Sequence, residues 1–307
     1  MKKNKKFSQF LLITMNFQIQ PISNTIGQQI ISTGSNSIFQ LAQEEIISLF
    51  NLYGVLLFRG FEVNAEIFKD FSNLLSTDFI DYSGGAFNRR IINGDKTILS
   101  VNDFNSEIKL HGEMYYQKNV PLMLWFFCAT PASDKGETII CDGRQFFNEL
   151  SNSTKELFSK KKLKFTVPMT EEAWQKKYKI ENLNQLQEIC KHNDIKLTIS
   201  KDKSIVAEYL CPATIPSKCG NYQVFINSLL PTKQLYPNII KFEDDSDIPK
   251  EVMSEVNEIA ERITTEIAWQ KGDILMIDNT RVLHGRRAFS DENREIYIRL
   301  CAPAFAF

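Results

Sequence analysis

The 307-residue sequence predicts an α+β domain on a two-layered β roll, a double-stranded β-helix or jelly roll with flanking helices and a lid insertion. Three observations point there. The front of the chain carries helical spacing, strand signals dominate from Ile98 onward, and a polar stretch of different character separates the β-rich middle from the β-rich end.

Each element has its own signal. Leu41, Ile46, Ile47, Leu49 and Phe50 predict a helix within 38–53. The apolar run 54–60, bounded by glycines, reads as a buried strand, and 65–75 as a second helix. Residues 122–129 and 136–141 are strand candidates, and Trp125 belongs to the core. Asp142 is placed to cap a helix over 143–150. Residues 151–205 are rich in Lys, Glu, Asn and Gln without strict alternation, and the lid is taken as 151–230, with strand-like composition returning at 222–230. A helix over 251–263 and strands over 272–279 and 294–301 complete a single domain over 15–307. Residues 1–14, basic and then briefly apolar with no small-x-small site, read as a disordered extension, or as sequence ahead of a true start at Met15, rather than a signal peptide.

Composition excludes several classes. With 36 Lys plus Arg against 37 Asp plus Glu, charge gives no argument for a nucleic-acid or membrane partner. No apolar run reaches the roughly 18 residues of a membrane span. The six cysteines (128, 141, 190, 211, 219 and 301) form no C-x-x-C pair, which fits small hydrophobes in a reducing cytoplasm.

The chain has three histidines. His192 sits in the polar run Lys191-His192-Asn193-Asp194 and reads as a surface residue. His111 and Glu113, at i and i+2, share a face if their stretch is extended. Joined by His284, 173 positions later, they form the 2-His-1-carboxylate set that suits Fe(II) and leaves three positions open. Asp278 and Asn279 then fix the turn before His284 or bond a ligand imidazole.

Four segments together, 54–61, 110–116, 135–147 and 272–299, resemble the taurine dioxygenase (TauD/TfdA) family of Fe(II)/2-oxoglutarate oxygenases, over roughly 54–303. The resemblance implies a cupin-like jelly roll, iron on His111, Glu113 and His284, and Fe(II), 2-oxoglutarate and O2 as cofactor and cosubstrates. Many members have Asp where this chain has Glu113; the Glu form is similar to the branch containing relatives of the syringomycin biosynthesis protein. The same resemblance implies that the distal carboxylate of 2-oxoglutarate meets Arg294, ten residues past His284, and Thr138, 27 residues past His111. Arg299 competes with Arg294 for that role; five positions apart on a strand, the two face opposite ways.

Asn102, Tyr115, Tyr116, Trp174 and Arg286 are candidates for the substrate side, and Arg287 stands beside them. For Tyr115 and Tyr116 the alternative is core packing, and for Trp174 an exposed lid aromatic. The implied activity is hydroxylation of an unactivated C–H bond in an amino acid or related small molecule, free or carrier-tethered, in specialised metabolism. Glu113 argues against halogenation, because related halogenases lack that carboxylate. Desaturation, oxidative decarboxylation of the isonitrile type, and a non-catalytic ligand-binding roll are the alternatives.

Overall fold

A computed structural model of the protein describes residues 17–81, 89–102, 104–218 and 220–306. The extension expected over 1–14 and Cys219 lie outside the described residues. Two sheets face each other. Among the described residues the larger has nine strands, in the order Phe17–Pro21, Gln28–Ser32, Val55–Arg59, Ile274–Asp278, Met123–Thr130, Glu295–Pro303, Asp95–Ser100 and Ile91–Ile92, with Ser76–Thr77 pairing on Glu295–Pro303. The smaller runs Thr265–Ile267, Thr138–Asp142, Val282–Arg286 and Ile108–His111.

From Asp95 the chain alternates between them. Asp95–Ser100 lies in the large sheet, Ile108–His111 in the small, Met123–Thr130 in the large and Thr138–Asp142 in the small. After the insertion, Thr265–Ile267, Ile274–Asp278, Val282–Arg286 and Glu295–Pro303 repeat the alternation. This is the jelly roll that the sequence predicts.

Period-two alternation sorts the side chains of the large sheet. Leu124, Phe126, Leu275, Ile277, Ile296, Ile298 and Leu300 point inward, against Ile140, Ile267 and Val282 of the small sheet. Trp125, Phe127, Met276 and Phe58 point outward, against the helices Gln43–Tyr53 and Ala65–Leu75. Ala65–Leu75 packs Phe68, Phe71 and Leu75 and is capped by the Asn64 side chain, which accepts from two backbone N–H groups. Each fully buried apolar side chain contributes about 1.5–3 kcal/mol. The predicted helix over 38–53 divides into a short 3-10 turn, Ile38–Gln40, and the α-helix from Gln43.

The segment between core strands, 143–264, is wider than its polar stretch. Asp142 caps Gly143–Glu149, as expected, and Lys250–Ile263 lays Val252, Val256, Ile259 and Ile263 on the outer face of the small sheet. Between them stands a four-stranded sheet, Lys196–Ile199, Ile205–Cys211, Leu163–Met169 and Ile240–Phe242. It has a small core of its own around Trp174, Leu186, Cys190 and Ile205. Sparse apolar residues masked this order: Glu171–Tyr178 buries only Trp174, and Leu183–His192 only Leu186 and Cys190.

Trp174 is fully buried there, and its indole N–H donates to the Lys203 carbonyl. It is therefore a lid core residue, which corrects its expected place on the substrate side. His192 ends the helix Leu183–His192 and is exposed, as read. Trp174→Ala is expected to cost the lid about 3–5 kcal/mol. Hydrogen exchange should quicken across 163–211 while protection of Val282–Arg286 is unchanged.

Candidate metal centre

Val282–Arg286 pairs with Ile108–His111 so that His284 stands directly opposite His111. Opposed residues of an antiparallel pair project to one face, so both imidazoles enter the space between the sheets. Their ring centroids are 4.3 Å apart, and Phe126 of the large sheet closes on His284 at 5.6 Å. Gly285 is required between His284 and Arg286, since a Cβ there would lie 2.4 Å from the Ile108 carbonyl oxygen.

Glu113 arrives by a route different from the one the sequence implies. The strand stops at His111, and Glu113 sits in a turn whose next residue, Met114, has φ 63°, a strained conformation for a side-chain-bearing residue. The i, i+2 argument therefore gives the right convergence for the wrong reason. The turn is held from outside. Asn279 Oδ1 accepts from the Glu113 N–H at 2.8 Å, and Asn279 Nδ2 donates to the Glu113 and Pro121 carbonyls at 3.1 and 2.7 Å. Tyr115, buried, donates its hydroxyl to the Asn279 carbonyl. Gly112 is packed so tightly that a Cβ would fall 2.4 Å from the Tyr115 ring; its N–H donates to Asn227 and its carbonyl accepts from Ser228.

The result is a compact donor set. One ligand atom from each of His111, Glu113 and His284 lies within 4.8 Å of the others. Glu113 Oε2 is 3.6 Å from His111 Nε2 and 3.4 Å from His284 Nε2. Neighbouring ligands of an octahedral ion at about 2.1 Å stand about 3 Å apart, so an ion would draw these atoms in by a few tenths of an ångström. His111 Nδ1 lies 2.9 Å from the Lys109 carbonyl, which fixes the proton there and leaves Nε2 as an electron-pair donor. Burial, then His111, push His284 down to about 4, so its imidazole is neutral. Burial works to raise the Glu113 carboxyl, but the charge of the Arg89 guanidinium leads the effects that outweigh it and hold it well below the usual range. A neutral His284 imidazole and an ionised Glu113 carboxylate are the protonation states a divalent cation needs.

A second cluster lies along the same face. Thr138 pairs in register with Arg286, and Ile140 with His284, so Thr138 and Arg286 share the face of the metal ligands. Thr138 Oγ1 accepts from Trp269 Nε1 at 3.1 Å. Arg294, 1% exposed, donates to the Gly136 carbonyl and to Asn102 Oδ1. Arg286 donates to the carbonyls of Val101, Phe104 and Ser106. Both guanidinium carbons stand 4.9 Å from the Phe289 ring centroid. Burial pushes Arg294 down to about 10 and Arg286 to about 9. The hydrogen-bond acceptors of these two cations are neutral, Glu137 and Glu295 act on Arg294 without bonding it directly, and a buried charge is costly unless an anion joins it.

Other candidates go elsewhere. Arg299 lies on the outward face of Glu295–Pro303, where it donates to Lys69, Ser72 and Asn73 of the helix Ala65–Leu75 and to Thr97. Asn102 supports Arg294 rather than facing open space, and Arg286 pins the segment before Ile108. Tyr115 is a strut, and Tyr116, partly buried, packs against the core. Arg287 pairs with Glu107, Glu261 and Glu266 at the surface. Arg89, Trp269, Asn227 and Ser228 also serve this site, and nothing local in the sequence marks them.

Comparison with known proteins agrees with this geometry. The profile of the taurine catabolism dioxygenase TauD, TfdA family matches residues 18–301. The chain belongs to that family. It is therefore an Fe(II)/2-oxoglutarate-dependent dioxygenase that uses O2. It is similar to a clavaminate synthase-like protein of Arabidopsis thaliana, 26% identical over 83% of each chain. It is also similar to the dapdiamide synthesis protein DdaC of Enterobacter agglomerans, 23% identical over 82% of this chain and 83% of that one. Among solved structures, PvcB of Pseudomonas aeruginosa shares the fold with TM-score 0.61 at 15% identity, covering 94% of this chain and 95% of that one. AAD-2 in complex with Mn(II) and N-oxalylglycine aligns with TM-score 0.58 at 13% identity, covering 95% and 99%. No helix among the described residues is long and apolar enough to cross a membrane.

Asn279→Ala leaves three buried backbone groups around Glu113 without a partner. It is expected to weaken Fe(II) or Co(II) binding about 10- to 100-fold. The global stability loss should be about 1–3 kcal/mol. Anaerobic metal titration and urea unfolding of the same variant check the two effects separately.

Proposed function

We propose that His111, Glu113 and His284 hold Fe(II), that Arg294 and Thr138 anchor 2-oxoglutarate, and that the enzyme hydroxylates an unactivated C–H bond of an amino acid or related small molecule. The observation that carries this reading is the convergence of His111, Glu113 and His284 on one point, with Thr138 and Arg286 on the same sheet face and Arg294 bonded to neutral acceptors at Gly136 and Asn102. Fe(II) with O2 and 2-oxoglutarate supplies the oxidation, in which 2-oxoglutarate becomes succinate and CO2 and one oxygen atom enters the substrate.

The chain's own residues prepare that chemistry. Thr138 accepts from Trp269, which leaves its hydroxyl hydrogen to donate to a carboxylate. Arg294 is held in place by Gly136 and Asn102 and meets the same carboxylate as a pre-oriented fork. Arg286, held by the three backbone carbonyls of Val101, Phe104 and Ser106, adds positive potential. Phe126 and the inward aliphatic residues of both sheets exclude water. The lid over 151–230 frames the substrate opening in this reading; Asn227 and Ser228, which hold Gly112, support it.

The substrate class rests on relatives. DdaC is named for dapdiamide synthesis, and a PvcB structure is described as an oxygenase from an isonitrile synthetic pathway. Both descriptions support a role in specialised metabolism, with the substrate free or tethered to a carrier. The PvcB likeness also favours a second outcome, desaturation or oxidative decarboxylation. Product mass separates the outcomes: hydroxylation adds one oxygen atom, whereas desaturation removes two hydrogens.

Arg294→Ala is expected to raise the KM for 2-oxoglutarate about 10- to 100-fold, as loss of a charged hydrogen-bond pair does. Arg299→Ala should leave that KM within about two-fold while lowering the melting temperature, since its partners are in the helix Ala65–Leu75. Succinate formation measured against 2-oxoglutarate concentration gives both values; a larger KM effect at Arg299 would overturn the anchor assignment.

A further inference from the structure

We propose that Arg89 is a positioning residue that keeps Glu113 a one-oxygen metal ligand. The inference rests on the metal assignment above and concerns how that ligand is used. The two carboxylate oxygens of Glu113 have different partners. Oε2 faces both imidazole Nε2 atoms, at 3.6 and 3.4 Å. Oε1 accepts from Arg89 Nη2 at 3.1 Å. Both side chains are largely withdrawn from solvent, 11% exposed for Arg89 and 5% for Glu113.

The division matters because a carboxylate can give a cation one oxygen or two. Three protein atoms leave three positions on a six-coordinate ion. A chelating cosubstrate would take two of them and leave one for O2. A second oxygen from Glu113 would occupy one of these. The charge-assisted bond from Arg89 engages Oε1 and fixes the carboxylate plane, so that Oε2, the oxygen facing both imidazoles, would be the one offered to an ion. Asn279 fixes the backbone of the same residue from the other end. Glu113 is thereby constrained at both its main chain and its outer oxygen, an arrangement that a longer Glu side chain needs more than Asp would, having one more rotatable bond.

The test is an anaerobic titration of Co(II)-loaded protein with 2-oxoglutarate, followed by the Co(II) visible spectrum, which reports coordination number. Arg89→Ala and Arg89→Met are compared with Arg89→Lys; the Met variant keeps the aliphatic stem if the Ala variant does not fold. We expect Co(II) binding to persist in Arg89→Met, with an altered spectrum and 2-oxoglutarate affinity lowered about 10- to 100-fold, and Arg89→Lys to restore both in large part. Wild-type spectrum and affinity in Arg89→Met would overturn the proposal, as would loss of Co(II) binding by a folded variant. If the wild-type protein itself binds no Co(II), the metal assignment fails rather than the role of Arg89.

Discussion

The antiparallel pairing of Val282–Arg286 with Ile108–His111 sets His284 opposite His111, and the site is arranged around that register. A slip of one residue would turn either imidazole to the other face of the sheet, into the apolar layer beneath Lys250–Ile263. Several contacts resist such a slip. Gly285 lies too close to the Ile108 carbonyl for any side chain, Arg286 is bonded to backbone oxygens of 101–106, and Thr138–Asp142 pairs on the other side of the same strand. Asn279 then ties the turn before this strand to the turn after His111, so that Glu113 is fixed by the chain that carries His284.

Electrostatics divides the space between the sheets into two compartments. At one, an ionised carboxylate beside two imidazoles attracts a cation. At the other, Arg286 and Arg294 sit against one aromatic ring with neutral acceptors. Two like charges so close and so deeply buried oppose folding, and the hydrogen bonds to carbonyls and Asn102 offset this in part. The same logic explains why Arg299, though equally buried, is not part of this pairing: it ties Glu295–Pro303 to the helix Ala65–Leu75 instead.

Much of this was legible in the sequence where the signal is local. The apolar run ending in Arg59, the amphipathic spacing of Ala65–Leu75 and the Asp142 cap each announce their element within a few residues. The convergence of His111, Glu113 and His284 was legible through residue type and motif order. The remainder depends on contacts between distant segments. Nothing near Trp174 says that Leu186, Cys190 and Ile205 will enclose it, and nothing near Arg89 says that it reaches a carboxylate 24 residues on. Asn279 was read as fixing a turn, yet its side chain serves the backbone of Glu113, 166 residues earlier. The strand end at His111 was likewise hidden, because a turn stabilised by a remote asparagine carries no turn signature of its own.

The central claim, that His111, Glu113 and His284 jointly bind a divalent ion, is tested most directly by anomalous diffraction from crystals grown with Mn(II) and N-oxalylglycine. The account predicts one strong peak about 2.0–2.3 Å from His111 Nε2, His284 Nε2 and a single oxygen of Glu113. A fully occupied peak elsewhere in the protein, with those three side chains unliganded, would contradict it.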